Sequence, residues 1–180
     1  MRLRGPPSIA VVVLAYLALC ACDDGSTTRG SLTWTWRYTG VGPDGAPITA
    51  RGVLRTDRDP DGDGWYAIES IEGQRNGVRI TGLYPAGQAI PGNVDPANGA
   101  PFAGDNLLRQ SGAAHTPQLD ENGLQFSLGD GTYSNVFFAS FREPPTYLEF
   151  HSVPPFPEGV VPPNSELPGT FSAEVRVLGE

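Results

Sequence analysis

Along most of this chain polar and apolar residues alternate one by one, and no stretch repeats every three or four. In SLTWTWRYTG the apolar set Leu32, Trp34, Trp36 and Tyr38 interleaves with Thr33, Thr35, Arg37 and Thr39. A two-residue period puts successive side chains on opposite faces of an extended backbone, so one face of this strand is buried and the other wet. The closing stretch FSAEVRVL repeats the pattern, with Phe171, Ala173, Val175 and Val177 against Ser172, Glu174 and Arg176. No segment carries a convincing amphipathic helix.

Between these ends the sequence predicts further strands over residues 48–56, 65–73, 78–85, 123–130, 132–141 and 146–152, and a short apolar return to the core at 105–109. In 65–73 the alternation slips between Ile68 and Ile71, as a bulge would make it. Turn formers separate the strands: PDGAP at 43–47, DRDPDGDG at 57–64 and Asn76-Gly77, a hairpin signal. The 23 glycines and 18 prolines among 180 residues therefore read as turns between strands rather than as disorder. Residues 85–104 show no periodicity, which predicts a functional or mobile loop. Residues 153–169 are proline-rich and predict an extended surface path. The expectation is all-β: one antiparallel sandwich or barrel of about eight strands over residues 31–180.

The chain begins with an address. Arg2 and Arg4 precede an unbroken apolar run from Ile9 to Ala21. That suits a signal-peptide core but is short of the roughly 20 residues that cross a bilayer. Leu19-Cys20-Ala21-Cys22 resembles the bacterial lipobox. Cys22 fits as the lipidated residue; Cys20 fits less well, because Leu19 is bulky beside the cleavage point. The alternative is an ordinary cleaved secretory signal with incidental cysteines. The expected organisation is a signal peptide at 1–21, a lipidated cysteine and tether at 22–30, and one domain from 31. Two acyl chains and a third on the amine anchor stably where one is marginal. The expected location is the bacterial cell envelope, facing periplasm or exterior, with the membrane as a partner through the lipid.

All 12 basic residues are arginine, and the net charge is −8. An acidic exported domain is a poor partner for nucleic acid or for anionic lipid.

Several motifs resemble one group of proteins. GDGWYAIESIEGQRNGVRITGL (62–83), DNLL (105–108), LDENGLQFSLGDGTYSNVFF (119–138) and GTFSAEVRV (169–177) are together similar to uncharacterised exported bacterial proteins of the PEP-CTERM-associated type. The resemblance implies an all-β fold and brings no activity, cofactor or catalytic residue with it. The chain departs from that group at its end, where no Pro-Glu-Pro, apolar span or basic tail precedes Glu180. The expectation is that the N-terminal lipid replaces that sorting segment as the anchor.

Candidate chemistry is sparse. Asp57, Asp59, Asp61 and Asp63 alternate and are followed by Gly64, like the first half of an EF-hand loop, so Ca²⁺ is the one cofactor the pattern admits. Against it, Ile68 stands where a bidentate Glu belongs, and Pro60 stiffens the loop; the alternative is a solvated acidic turn. His115 lies in a polar loop. In TYLEFHS, Leu148 and Phe150 share the face expected to be buried, with Tyr147, Glu149 and His151 towards solvent. The spacing excludes a HExxH zinc site, a Gly-x-Ser-x-Gly elbow and Ser-x-x-Lys. Glu69, Glu72, Glu149 and Glu174 read as solvated strand faces rather than as a glycosidase pair. Trp34, Trp36, Trp65, Tyr66, Phe137 and Phe138 read first as core and second as a sugar-stacking platform. The leading expectation is a non-enzymatic structural or interaction module. The alternatives are a calcium-assisted carbohydrate-binding module and a cell-wall glycan or ester hydrolase.

Overall fold

The computed structural model describes residues 30–42, 44–95, 97–111, 116–155 and 167–176. The signal segment, Cys20, Cys22, the tether to residue 29 and His115 lie outside the described residues.

Each alternating segment forms a strand: β1 (Ser31–Val41), β2 (Pro47–Asp57), β3 (Trp65–Arg75), β4 (Val78–Leu83), β5 (Leu107–Arg109), β6 (Leu124–Leu128), β7 (Tyr133–Ala139), β8 (Thr146–Ser152) and β9 (Leu167–Val175). Eight of them close into one antiparallel barrel, each pairing with the next along the chain, and β9 returns to β1. β5 stands outside that circuit and pairs with the start of β3. Of the two all-β architectures the sequence allows, the barrel is the one formed. Closure removes every free edge from the main sheet.

The turns follow their residues. Asn76 and Gly77, both at positive φ (46° and 85°), make the two-residue β3–β4 hairpin. The expected bulge is present: Thr56 pairs with Ile68 but Arg55 with Ser70, which leaves Glu69 unpaired. At Gly52 the β2 and β3 backbones touch, and a Cβ there would overlap the Glu72 carbonyl oxygen.

In an eight-stranded barrel the interior is about wide enough for side chains to fill. Trp34, Trp36 and Tyr38 point inward from β1 and meet Leu54, Ile71, Ile80, Leu124, Phe126, Val136 and Phe171 in one buried cluster. Trp36 lies 5.9 Å from Phe126 and 6.2 Å from Phe171, ring centre to ring centre. Trp34 anchors its polar end by donating Nε1–H to Thr56 Oγ1 at 2.9 Å. The outward residues of β1, Thr33, Thr35, Arg37 and Thr39, are polar. That is the reverse of a membrane-spanning barrel, whose apolar band faces out. Among the described residues no helix is long and apolar enough to cross a membrane.

One side of the barrel has a second apolar layer. Phe137, Ala139, Leu148 and Phe150 point outward from β7 and β8 and are buried with Ile90. Phe102 packs on Phe137 at 5.6 Å. The 85–104 segment is thus a folded cover rather than a free loop. Gln125 on β6 pins it, donating Nε2–H to the carbonyls of Pro85 (2.7 Å) and Gln88 (2.8 Å) and accepting the Gly104 N–H at 3.0 Å.

The cover reverses one expectation. Leu148 and Phe150 face outward beneath it, and Tyr147, Glu149 and His151 face the barrel interior. The register requires this: Glu149 lies opposite Val136 and His151 opposite Ser134, which in turn face Leu124 and Phe126 of the inner cluster. The alternation in TYLEFHS is real. Both of its faces are buried, so hydropathy alone does not say which is inside.

β8 and β9 share a short seam, Tyr147–Gly169 through Glu149–Leu167. Further along β9 the Gln118 side chain replaces a strand neighbour. Its Oε1 accepts the Ala173 N–H and its Nε2 donates to the Ala173 carbonyl, both at 2.8 Å.

Replacing Gln125 with Ala strands buried amide groups in the cover at about 1–3 kcal/mol each. The expected result is a lower denaturant midpoint and faster hydrogen exchange at the Gly87 and Gly104 amides. An unchanged midpoint would show that the cover is held in another way.

Candidate functional site

The titratable chemistry of the barrel gathers inside one end. Arg75 ends β3 pointing inward, across the register from Ala50, which lies opposite Tyr38. The small Ala50 side chain leaves room for a long one. Arg75 reaches Glu149 with both prongs of the guanidinium: Nε to Oε1 at 2.7 Å and Nη2 to Oε2 at 2.9 Å. Glu149 is 0% exposed and Arg75 8%. A carboxylate in this interior is tolerable only with such a partner, because desolvating either charge alone costs several kcal/mol. The expectation of a solvated Glu149 is therefore corrected.

Tyr38 sits beside the pair. Burial pushes its hydroxyl well above the usual tyrosine range; the Glu149 charge adds to this and Arg75 opposes it. Gly40 and Gly169 make room for its ring, and a Cβ on Gly169 would overlap it. His151 follows on β8, its Nδ1 3.2 Å from Ser134 Oγ. Burial lowers the imidazole below its ordinary 6.5, the Arg75 charge lowers it further, and Glu149 opposes. At neutral pH the ring is uncharged.

Ser134 beside His151 is the pairing of a nucleophile and a base. The rest of the arrangement points to packing. Glu149, the carboxylate that could orient the imidazole, directs both oxygens to Arg75, and Ser134 is fully buried.

A second polar network joins the cover to the barrel. Asn106 is held at φ 57° and donates to the Tyr84 carbonyl at 2.8 Å, while its Oδ1 accepts the Gln125 N–H at 2.8 Å. Asn122 donates to Asp105 Oδ2 at 3.1 Å and to Asp120 Oδ2 at 3.4 Å. Asn135 donates to the Asn122 carbonyl at 2.9 Å. Asp105 and Asn106 of DNLL and Asp120, Asn122 and Gln125 of LDENGLQF thus meet in one structural latch. Burial raises Asp105 from 3.8 to about 6; the Asn122 bond opposes this and the neighbouring Asp120 reinforces it.

The acidic loop is open. Asp57, Asp59 and Asp61 line a cleft of about 420 Å³ with Arg58, Pro60, Trp65, Ala67 and Leu107. Asp61 Oδ1 accepts the N–H groups of Asp63 and Trp65, both at 2.9 Å, which is the bonding of an Asp-led turn. Among the described residues, no three His, Cys, Asp or Glu side chains form a group that could hold a metal.

The aromatics divide as their faces dictate. Trp34 and Trp36 are core. Tyr66 packs edge-on against Trp34 at 5.4 Å, and Phe138 against Tyr147 at 5.2 Å. Phe137 is under the cover. Trp65 is half-buried, with the Arg109 guanidinium 4.0 Å over its ring. They form no common stacking platform.

Sequence reading missed Arg75 as half of a buried pair. The available signal was a charged residue at an inward position of β3, in phase with Ile71 and next to the Asn-Gly turn.

Two outcomes follow. Glu149→Ala leaves Arg75 buried without a counter-charge and is expected to cost about 3–5 kcal/mol, whereas the double change Arg75→Met with Glu149→Leu recovers most of it. Chemical denaturation of the three variants checks this, and a double variant as unstable as the single one would contradict it. Asp105 binds its proton more tightly in the folded state than in the unfolded state. Its contribution to stability is full below about pH 3.8 and is lost as pH rises through about 6. Asp105→Asn is expected to retain that contribution at every pH. The difference in stability between it and the parent then grows from pH 4 to pH 6.5; a constant difference refutes the assignment.

Comparison of the chain with protein-family models, with characterised proteins and with solved structures finds no match.

Proposed function

We propose that the chain is an exported envelope protein, anchored through lipid on Cys22, whose barrel is a non-enzymatic structural or interaction module. The observation that carries the second half is how the barrel interior is used. Trp34, Trp36, Tyr38, Phe126 and Phe171 occupy it, and its charges are committed to each other in the Arg75–Glu149 pair. A barrel filled in this way serves as a rigid scaffold, and contacts with partners then fall to its outside and to its loops. The anchor rests on the lipobox-like Leu19-Cys20-Ala21-Cys22 and on the polar tether that follows it. The segments that resemble the uncharacterised exported proteins named above fall here on strands, on turns and on the Asn106–Asn122 latch.

Metabolic labelling with a palmitate analogue in a bacterial host tests the anchor. Label is expected on the parent and on Cys20→Ser and absent from Cys22→Ser, which should accumulate as unprocessed precursor. Label lost from Cys20→Ser but kept by Cys22→Ser, or absent from the parent, overturns the reading. Reproducible turnover in a broad hydrolase screen would contradict the non-enzymatic half.

A further inference from the structure

The outer face of β9, β1 and β2 concentrates positive charge on an acidic chain. Arg37 and Arg51 lie directly opposite each other in the β1–β2 register. Like charges in that relation destabilise a sheet. Arg176 joins them around a shallow hollow of about 620 Å³, lined also by Thr35, Trp36, Gly52, Val53, Gly73 and Gln74. Among the described residues no carboxylate stands within ion-pair distance of these three guanidiniums. Glu72 and Glu174 share the same outer face, opposite Val53 and Thr35, without reaching them. Arg37 is held in place by donating Nε–H to Ser172 Oγ at 3.0 Å, and among the described residues its terminal nitrogens meet no hydrogen-bond partner. Gly52 and Gly73, where the β2 and β3 backbones meet, add bare backbone to the lining beside the Val53 side chain.

We propose that Arg37, Arg51 and Arg176 form a binding site for a phosphate-type oxyanion. Guanidinium is the side chain best matched to such a group: planar, permanently charged and able to donate two parallel hydrogen bonds. Three of them around an open hollow neutralise an anion that no carboxylate among the described residues replaces, and the bound anion removes the Arg37–Arg51 repulsion. Gln74 and Thr35 add polar contacts at the rim. The anion is either a free phosphate or the phosphodiester of a lipid headgroup. The site stands on its own geometry and does not depend on the lipid anchor.

The test uses the full protein extracted in a neutral detergent, labelled for amide NMR, and titrated separately with inorganic phosphate and with glycerophosphoglycerol, the water-soluble headgroup of phosphatidylglycerol. The expected result is a saturable shift of the Arg51, Gly52 and Gly73 amides with at least one probe. Affinity should fall at least tenfold in Arg51→Gln and in Arg37→Gln and stay unchanged in Arg55→Gln, a control on the same outer face away from the hollow. Tighter binding of phosphate assigns the site to a free anion, and tighter binding of the diester assigns it to a lipid. No saturable shift with either probe, or an equal loss in Arg55→Gln, overturns the proposal. Arg51 is exposed and its replacement relieves the repulsion from Arg37, so the melting temperature should not fall and a lost shift reports binding rather than unfolding.

Discussion

Closure of the sheet is the constraint on which everything else depends. Once β9 pairs with β1, the volume inside eight strands is set, and every inward position must help to fill it. The sequence meets that demand unevenly. One end is aromatic and aliphatic. At the other, Ala50, Gly40 and Gly169 give up volume, and Tyr38, Arg75 and Glu149 take it. A small residue on one strand and a long charged one on the next are two halves of a single packing solution. The bidentate geometry of the pair keeps the charges from destabilising the barrel they fill.

The second consequence lies outside. A closed barrel has no free edge, so extra chain must lie on its surface or cap its ends. The 85–104 segment lies on the surface. It covers Phe137, Leu148 and Phe150, and its backbone groups find partners in Gln125 and Asn106. Gln118 does the same at the β8–β9 seam, where its amide imitates the backbone of a strand that is too short. Side-chain amides from Asn and Gln thus supply the hydrogen bonds that strand pairing does not. This explains why so many of the buried polar residues are amides.

Much of the fold was legible in the chain. Two-residue alternation in SLTWTWRYTG and FSAEVRVL marked β1 and β9, Asn76-Gly77 marked a hairpin, and the slip between Ile68 and Ile71 marked the bulge. What stayed hidden depends on contacts distant in sequence. TYLEFHS has two buried faces, and only the cover shows which is the outer one. Arg75 finds its partner on β8, far along the chain and across the barrel. Asp105 and Asp120 gain their meaning from Asn122 between them. The four alternating aspartates made the sharpest local pattern, yet in the fold Asp61 bonds to backbone N–H groups of its own turn. Net charge is likewise only a sum, and a total of −8 gives no hint that Arg37 and Arg51 lie opposite each other on one surface.

The central claim is that β8 turns Glu149 into the barrel and Phe150 out beneath the cover. Distances from NMR on the folded protein test it most directly. The account predicts nuclear Overhauser contacts from the Ile90 methyls to the aromatic rings of Phe137 or Phe150, together with an Arg75 Nε–H that exchanges slowly with water. Ile90 without those contacts, and an Arg75 Nε–H exchanging as fast as those of the surface arginines, would contradict it.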